Sequence, residues 1–184
     1  GKDPGALSPS GTREKDITQA AAEELAAALR KTGRYDVALT RNDDIFIELE
    51  DRVTRARNLS ADLFISLHAD AGGKAETRGA SVYTLSPEGE KRIEGAKKQN
   101  DWVLAVEADT SRPVEVNAIL ADLVQRETKN QSSRFAEILA PALVKEGWPT
   151  LQNTHRRKGL YVLLNPDVPA VLLEMGFMTN RSDE

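Results

Sequence analysis

Apolar residues recur at helical spacing from Glu14 onward: Ile17, Ala21, Leu25, Ala28 and Leu29 share one face, and Gly33 in "KTG" provides a C-terminal stop. The alternating "YDVALTR" (35–41) predicts a strand, and "IELEDRVTRARNLS" (47–60) returns to the helical period through Ile47, Leu49, Val53 and Ala56. The apolar run at 63–68 predicts a strand buried on both faces, followed by further strands in "GASVYTL" (79–85), "LYVLLN" (160–165) and "AVLLEMGF" (170–177). Between 87 and 148 no strand is expected. "VNAILADLVQRE" and "SSRFAEILAPALVKEG" read as two amphipathic helices whose apolar faces, including Ile119, Leu123, Phe135, Ile138, Leu139 and Leu143, pack in the core. The 88–113 part is more polar and less regular.

Strands alternating with long helices imply a single α/β domain: a mostly parallel twisted sheet with helices on both faces. The opening stretch "GKDPGALSPSGTR" is a loop that leads straight into a helix. In a parallel sheet such a loop follows a strand, so the pattern places a first strand ahead of Gly1.

Composition then removes alternatives. A net charge of -4 and a pI near 5.4 argue against nucleic acid, which would want a basic stripe. No apolar run approaches the ~20 residues of a transmembrane helix. There is no cysteine, so thiolate chemistry is out and any metal must be held by His and carboxylates. No serine sits in a G-x-S-x-G elbow.

Sites in open α/β sheets form beyond the carboxyl ends of strands. His68 ends one strand, Glu174 interrupts the apolar run of another, and Glu14 lies where the first loop meets its helix. Each has a plainer reading. A histidine at a strand end is commonly a hydrogen-bonded structural residue, and an acid in a first helical turn favours the helix dipole. Glu174 is harder to explain structurally, because a carboxylate in a buried strand is costly unless paired or metal-bound. His155, in the basic "NTHRRKG", reads as solvated loop.

The stretches "GKDPGALSPSGTREKDIT", "DLFISLHAD", "RGASVYTLS", "LADLVQRETKNQS" and "YVLLNPDVPAVLLEMGFMTN" together resemble the zinc-dependent N-acetylmuramoyl-L-alanine amidases, in particular the periplasmic cell-division amidases of Gram-negative bacteria. The resemblance runs over nearly the whole chain. It implies a Zn2+ hydrolase acting on peptidoglycan, with Glu14 and His68 as metal ligands and Glu174 as catalytic carboxylate. A third ligand, a histidine, is implied two residues ahead of Gly1, and a closing helix after "NRSDE".

The resemblance also assigns 88–113 as a regulatory helical insert that plugs the site until an activator of the LytM type displaces it. The family's plug glutamate corresponds here to Gln99 in "AKKQND", a poorer zinc ligand than a carboxylate, which leaves Asp101 or Glu94 as alternatives. Two other readings stay open: a metal-free amidase-like module that only binds glycan or a partner, and a zinc carboxypeptidase that trims stem peptides.

Overall fold

A computed structural model describes residues 3–72, 76–98, 109 and 111–183. Helix α1 (Glu14–Lys31) carries Glu14 and Asp16 in its first turn and Arg30 and Lys31 in its last, the arrangement that complements the helix dipole. Helix α2 (Leu49–Asn58) is followed by strands β1 (Phe64–Asp70) and β2 (Ala80–Leu85). Helices α3 (Pro87–Lys98) and α4 (Val114–Lys145), strand β3 (Thr150–Lys158), a short 3-10 turn (Tyr161–Leu163) and strand β4 (Ala170–Phe177) complete the order.

The four strands form one sheet in the order β1-β4-β2-β3. β1 with β4 and β2 with β3 run parallel, while β2 with β4 runs antiparallel. The α/β class and the helices on both faces are as the sequence implies, and the sheet is mixed. On one face Phe64, Ala170 and Leu172 pack against Ala56 of α2 and against Val162 and Leu163. On the other, Val82 and Val171 pack against Ala136 of α4.

Three expectations are corrected. Residues 35–41 form no strand, because alternation needs a ladder and among the described strands β1 pairs only with β4. Side chains hold that backbone instead, with Arg30 Nη2 donating to Val37 O and Arg55 Nη1 to Thr40 O. The run at 160–165 is not a strand either. Its apolar residues fold into the 3-10 turn, which buries Val162, Leu163 and Leu164 without any sheet partner. The strand in this part of the chain is β3, in the polar segment read as loop.

The two expected amphipathic helices are one, α4, of 32 residues. A helix of that length is about 48 Å long, whereas a strand of 9 residues covers only about 30 Å, so α4 overshoots the sheet. Phe135, Leu139 and Leu143 pack on the core as expected, but Ile119 and Leu123 are 61% and 52% exposed, and Ile138 lies on the outward flank.

Candidate active site

The loop ahead of α1 curls back on the helix start: Glu14 N donates to Ala6 O at 2.9 Å and Lys15 N to Pro4 O at 3.2 Å. The curl brings one backbone amide onto the Glu14 carboxylate, and strand β1 supplies a second. Glu14 Oε2 accepts from Ala6 N at 2.9 Å, and Oε1 accepts from Ala69 N at 3.3 Å. Gly5 makes the turn possible. Its φ is +67°, and a Cβ there would approach Glu14 Cβ to 2.7 Å and collide with Oε2.

Glu14 Oε1 also lies 3.0 Å from His68 Nδ1, and the other ring nitrogen, Nε2, is 3.1 Å from Ser66 Oγ. Ser66 and His68 are two apart on β1 and therefore share a face. Burial pushes the Glu14 carboxyl up, but the His68 hydrogen bond and the amides of Ala6 and Ala69 together pull it below the usual range.

Glu174 stands directly beside His68 in the β1–β4 register and opposite Ser81 of β2. Its Oε2 is buried with no hydrogen-bond partner among the described residues. Burial pushes its carboxyl up to about 7; the charges of Asp70 and Glu14 add to the rise, and His68 and Lys158 oppose it. One edge of the sheet thus holds an ionised acid locked by amides, an imidazole, and a second acid poised near neutrality.

These residues fit a metal. His68 Nδ1 and Glu14 Oε1 share one proton across 3.0 Å, and a cation could take that proton's place, with Nε2–H then donating to Ser66 Oγ. Donors about 2.0–2.1 Å from one tetrahedral zinc stand roughly 3.3–3.4 Å apart, close to the spacing of this pair. Among the described residues no third His, Asp or Glu completes a ligand set. Glu174 is therefore a neighbour of the donor pair rather than part of it.

His155 belongs to β3, not to a solvated loop: it is half-buried, with Nε2 2.9 Å from Thr84 Oγ1. Burial, then the charge of Arg157, lowers its pKa. Gln99 and Asp101 lie outside the described residues, as does the side chain of Glu94 on α3. The sequence reading missed Gly5 and Ser66. The serine was open to discovery through the two-residue period of β1, which puts it beside His68.

A family model described as Amidase_3, N-acetylmuramoyl-L-alanine amidase, matches residues 1–184. The chain belongs to this family. It is 35% identical over 193 residues to the amidase AmiC of Neisseria meningitidis and 36% identical over 190 residues to AmiA of Salmonella typhimurium. All of the chain is aligned in both cases, but it spans only 44% and 64% of those proteins.

Among solved structures, the catalytic domain of CwlV, an N-acetylmuramoyl-L-alanine amidase from Bacillus (Paenibacillus) polymyxa, superposes with a TM-score of 0.65 at 26% identity. That match covers 99% of this chain and 78% of that one. AmiC2 of Nostoc punctiforme gives 0.64 at 26%, covering 100% and 77%. The Amidase_3 family is generally metal-dependent, in keeping with the donor chemistry of Glu14 and His68.

Proposed function

We propose that this chain is the catalytic domain of a zinc-dependent peptidoglycan amidase. The bond cut is the amide joining the lactyl group of N-acetylmuramic acid to the first alanine of the stem peptide. The observation that carries this reading is the pairing of Glu14 Oε1 with His68 Nδ1 at 3.0 Å beside a Glu174 oxygen left buried and unpartnered. Glu14 and His68 would hold the zinc, with a third ligand, a histidine, expected just ahead of Gly1.

Bound zinc supplies Lewis acidity to the scissile carbonyl and to water. The protein's own part is proton handling and orientation. Ala6 N and Ala69 N keep Glu14 ionised and aimed, and Ser66 fixes the His68 ring. Glu174, with a pKa of about 7, takes the proton of the attacking water and delivers it to the alanine nitrogen as the C–N bond breaks. A pure binding module would have no use for a buried carboxylate with one oxygen unsatisfied, a state that costs about 1–3 kcal/mol or more.

The same reading places the protein in the periplasm, in septal wall splitting. Residues 88–113 form an autoinhibitory insert that a LytM-type activator displaces. Deleting that segment raises peptidoglycan hydrolysis; no gain counts against the insert's role.

The test of the activity is digestion of purified sacculi with zinc-loaded protein, read by mass spectrometry. Intact stem peptides with a free N-terminal alanine are expected, and chelation abolishes their release. Shortened stem peptides would make it a carboxypeptidase. No release despite bound zinc would leave only a binding role.

A further inference from the structure

The chain is acidic overall, yet one edge of its sheet is not. The polar segment 153–158 belongs to strand β3, so its cations have fixed positions. Arg156 pairs with Tyr83 and Lys158 with Leu85 in the β2–β3 register. Ser81 and Tyr83 in turn pair with Glu174 and Leu172. Register partners share a face, so Arg156 and Lys158 stand on the same side of the sheet as Glu174, His68 and Ser66.

Lys158 Nζ lies 5.9 Å from the centre of the Tyr83 ring, and its charge reaches the Glu174 carboxylate. Among the described residues neither Arg156 nor Lys158 forms an ion pair within 4.0 Å with a carboxylate. Arg156 spends Nε on Asn153 O at 2.8 Å, which orients the guanidinium and leaves its other donors available. Unpaired cations lined along one strand of an acidic protein call for an anionic ligand.

Distance selects which anion. Arg156 lies two strands across and two residues along from Glu174, about 12 Å between Cα positions. A peptide leaving the scissile amide advances at most about 3.6 Å per residue, so carboxylates on its second and third residues fall within reach of a side chain from Arg156.

Building on the amidase reading above, we infer that Arg156 and Lys158 form a subsite for the free carboxylates of an acidic stem peptide. Recognition by this strip favours stems whose second-residue carboxyl is unblocked over stems in which it is amidated.

The test compares two muropeptides, one with the stem L-Ala–D-Glu–diaminopimelate and one with the glutamate α-carboxyl amidated. Zinc-loaded wild-type protein is expected to favour the acid about tenfold in kcat/KM, mainly through KM. In R156Q/K158M the loss falls at least fivefold more heavily on the acid than on the amide, and R156K/K158R restores the preference. Equal losses on both peptides, or a preference that survives in R156Q/K158M, overturn the subsite.

Calorimetric titration with the free tripeptide gives a readout independent of catalysis. Binding should weaken with salt and be lost in R156Q/K158M, whose folding is checked by thermal melting; absent or salt-insensitive binding overturns the subsite. If wild-type protein cleaves neither muropeptide, the amidase reading fails, and the titration still decides the subsite alone.

Discussion

Glu14 and Glu174 stand at one edge of the sheet, the first on the loop-and-helix side and the second on a central strand, and their surroundings drive them apart. Glu14 is met by two backbone amides and an imidazole, which outweigh its burial and keep it ionised. Glu174 is held in a strand between β1 and β2 with one oxygen unpartnered, and burial raises its pKa to about 7. The contrast shows how a fold assigns different work to chemically identical groups. A carboxylate supplied with donors is prepared to bind a cation, and one denied them is prepared to exchange a proton.

The sharpest way to break this contrast is on the ion-binding side. His68→Ala leaves Glu14 without its ring partner, and both stoichiometric zinc and hydrolysis are expected to disappear, measured by elemental analysis and muropeptide release. Removing only the orienting partner is milder. Ser66→Ala should weaken zinc about 10–100-fold, as seen for outer-shell partners generally, in a competition titration with a chelator of known affinity.

The proton side is read through stability in metal-free protein. The folded pKa of Glu174 is raised to about 7 from 4.5, so its contribution is fully present below about pH 4.5 and is lost as pH rises through 7. Allowing for its partial exposure, urea unfolding should show a decline on the order of 2 kcal/mol across this window, which Glu174→Gln flattens. Glu14 acts in the opposite sense, since its lowered pKa costs stability only as pH falls below the carboxylate range. The smallest effect expected is that of Gly5→Ala, about 1–2 kcal/mol for a side chain at φ +67°. Part of it should appear as weaker zinc binding, because the new methyl group pushes on Glu14.

Much of this arrangement was open to reading from the chain. The runs at 63–68 and 170–177 are apolar because β1 and β4 lie between helical layers, and the acids and histidine in or beside such runs stood out for that reason. The failures share one cause: apolar patterning reports burial, not backbone geometry. Residues 160–165 are buried as their pattern demands but in a turn, and "TLQNTHRRK" is strand although its edge position demands little burial. The exposed apolar side chains of Ile119 and Leu123 follow from the length of α4 relative to the sheet, which periodicity does not report. The amides of Ala6 and Ala69 were invisible because backbone donors leave no mark in side-chain identity.

The most direct measurement on the central claim is a paired assay of Glu174→Gln: zinc content and hydrolysis of a defined muropeptide on the same preparation. If Glu14 and His68 hold the ion and Glu174 moves the proton, zinc remains stoichiometric while hydrolysis falls by about 10²–10⁴-fold. Loss of zinc together with activity, or activity that persists, would contradict that division of labour.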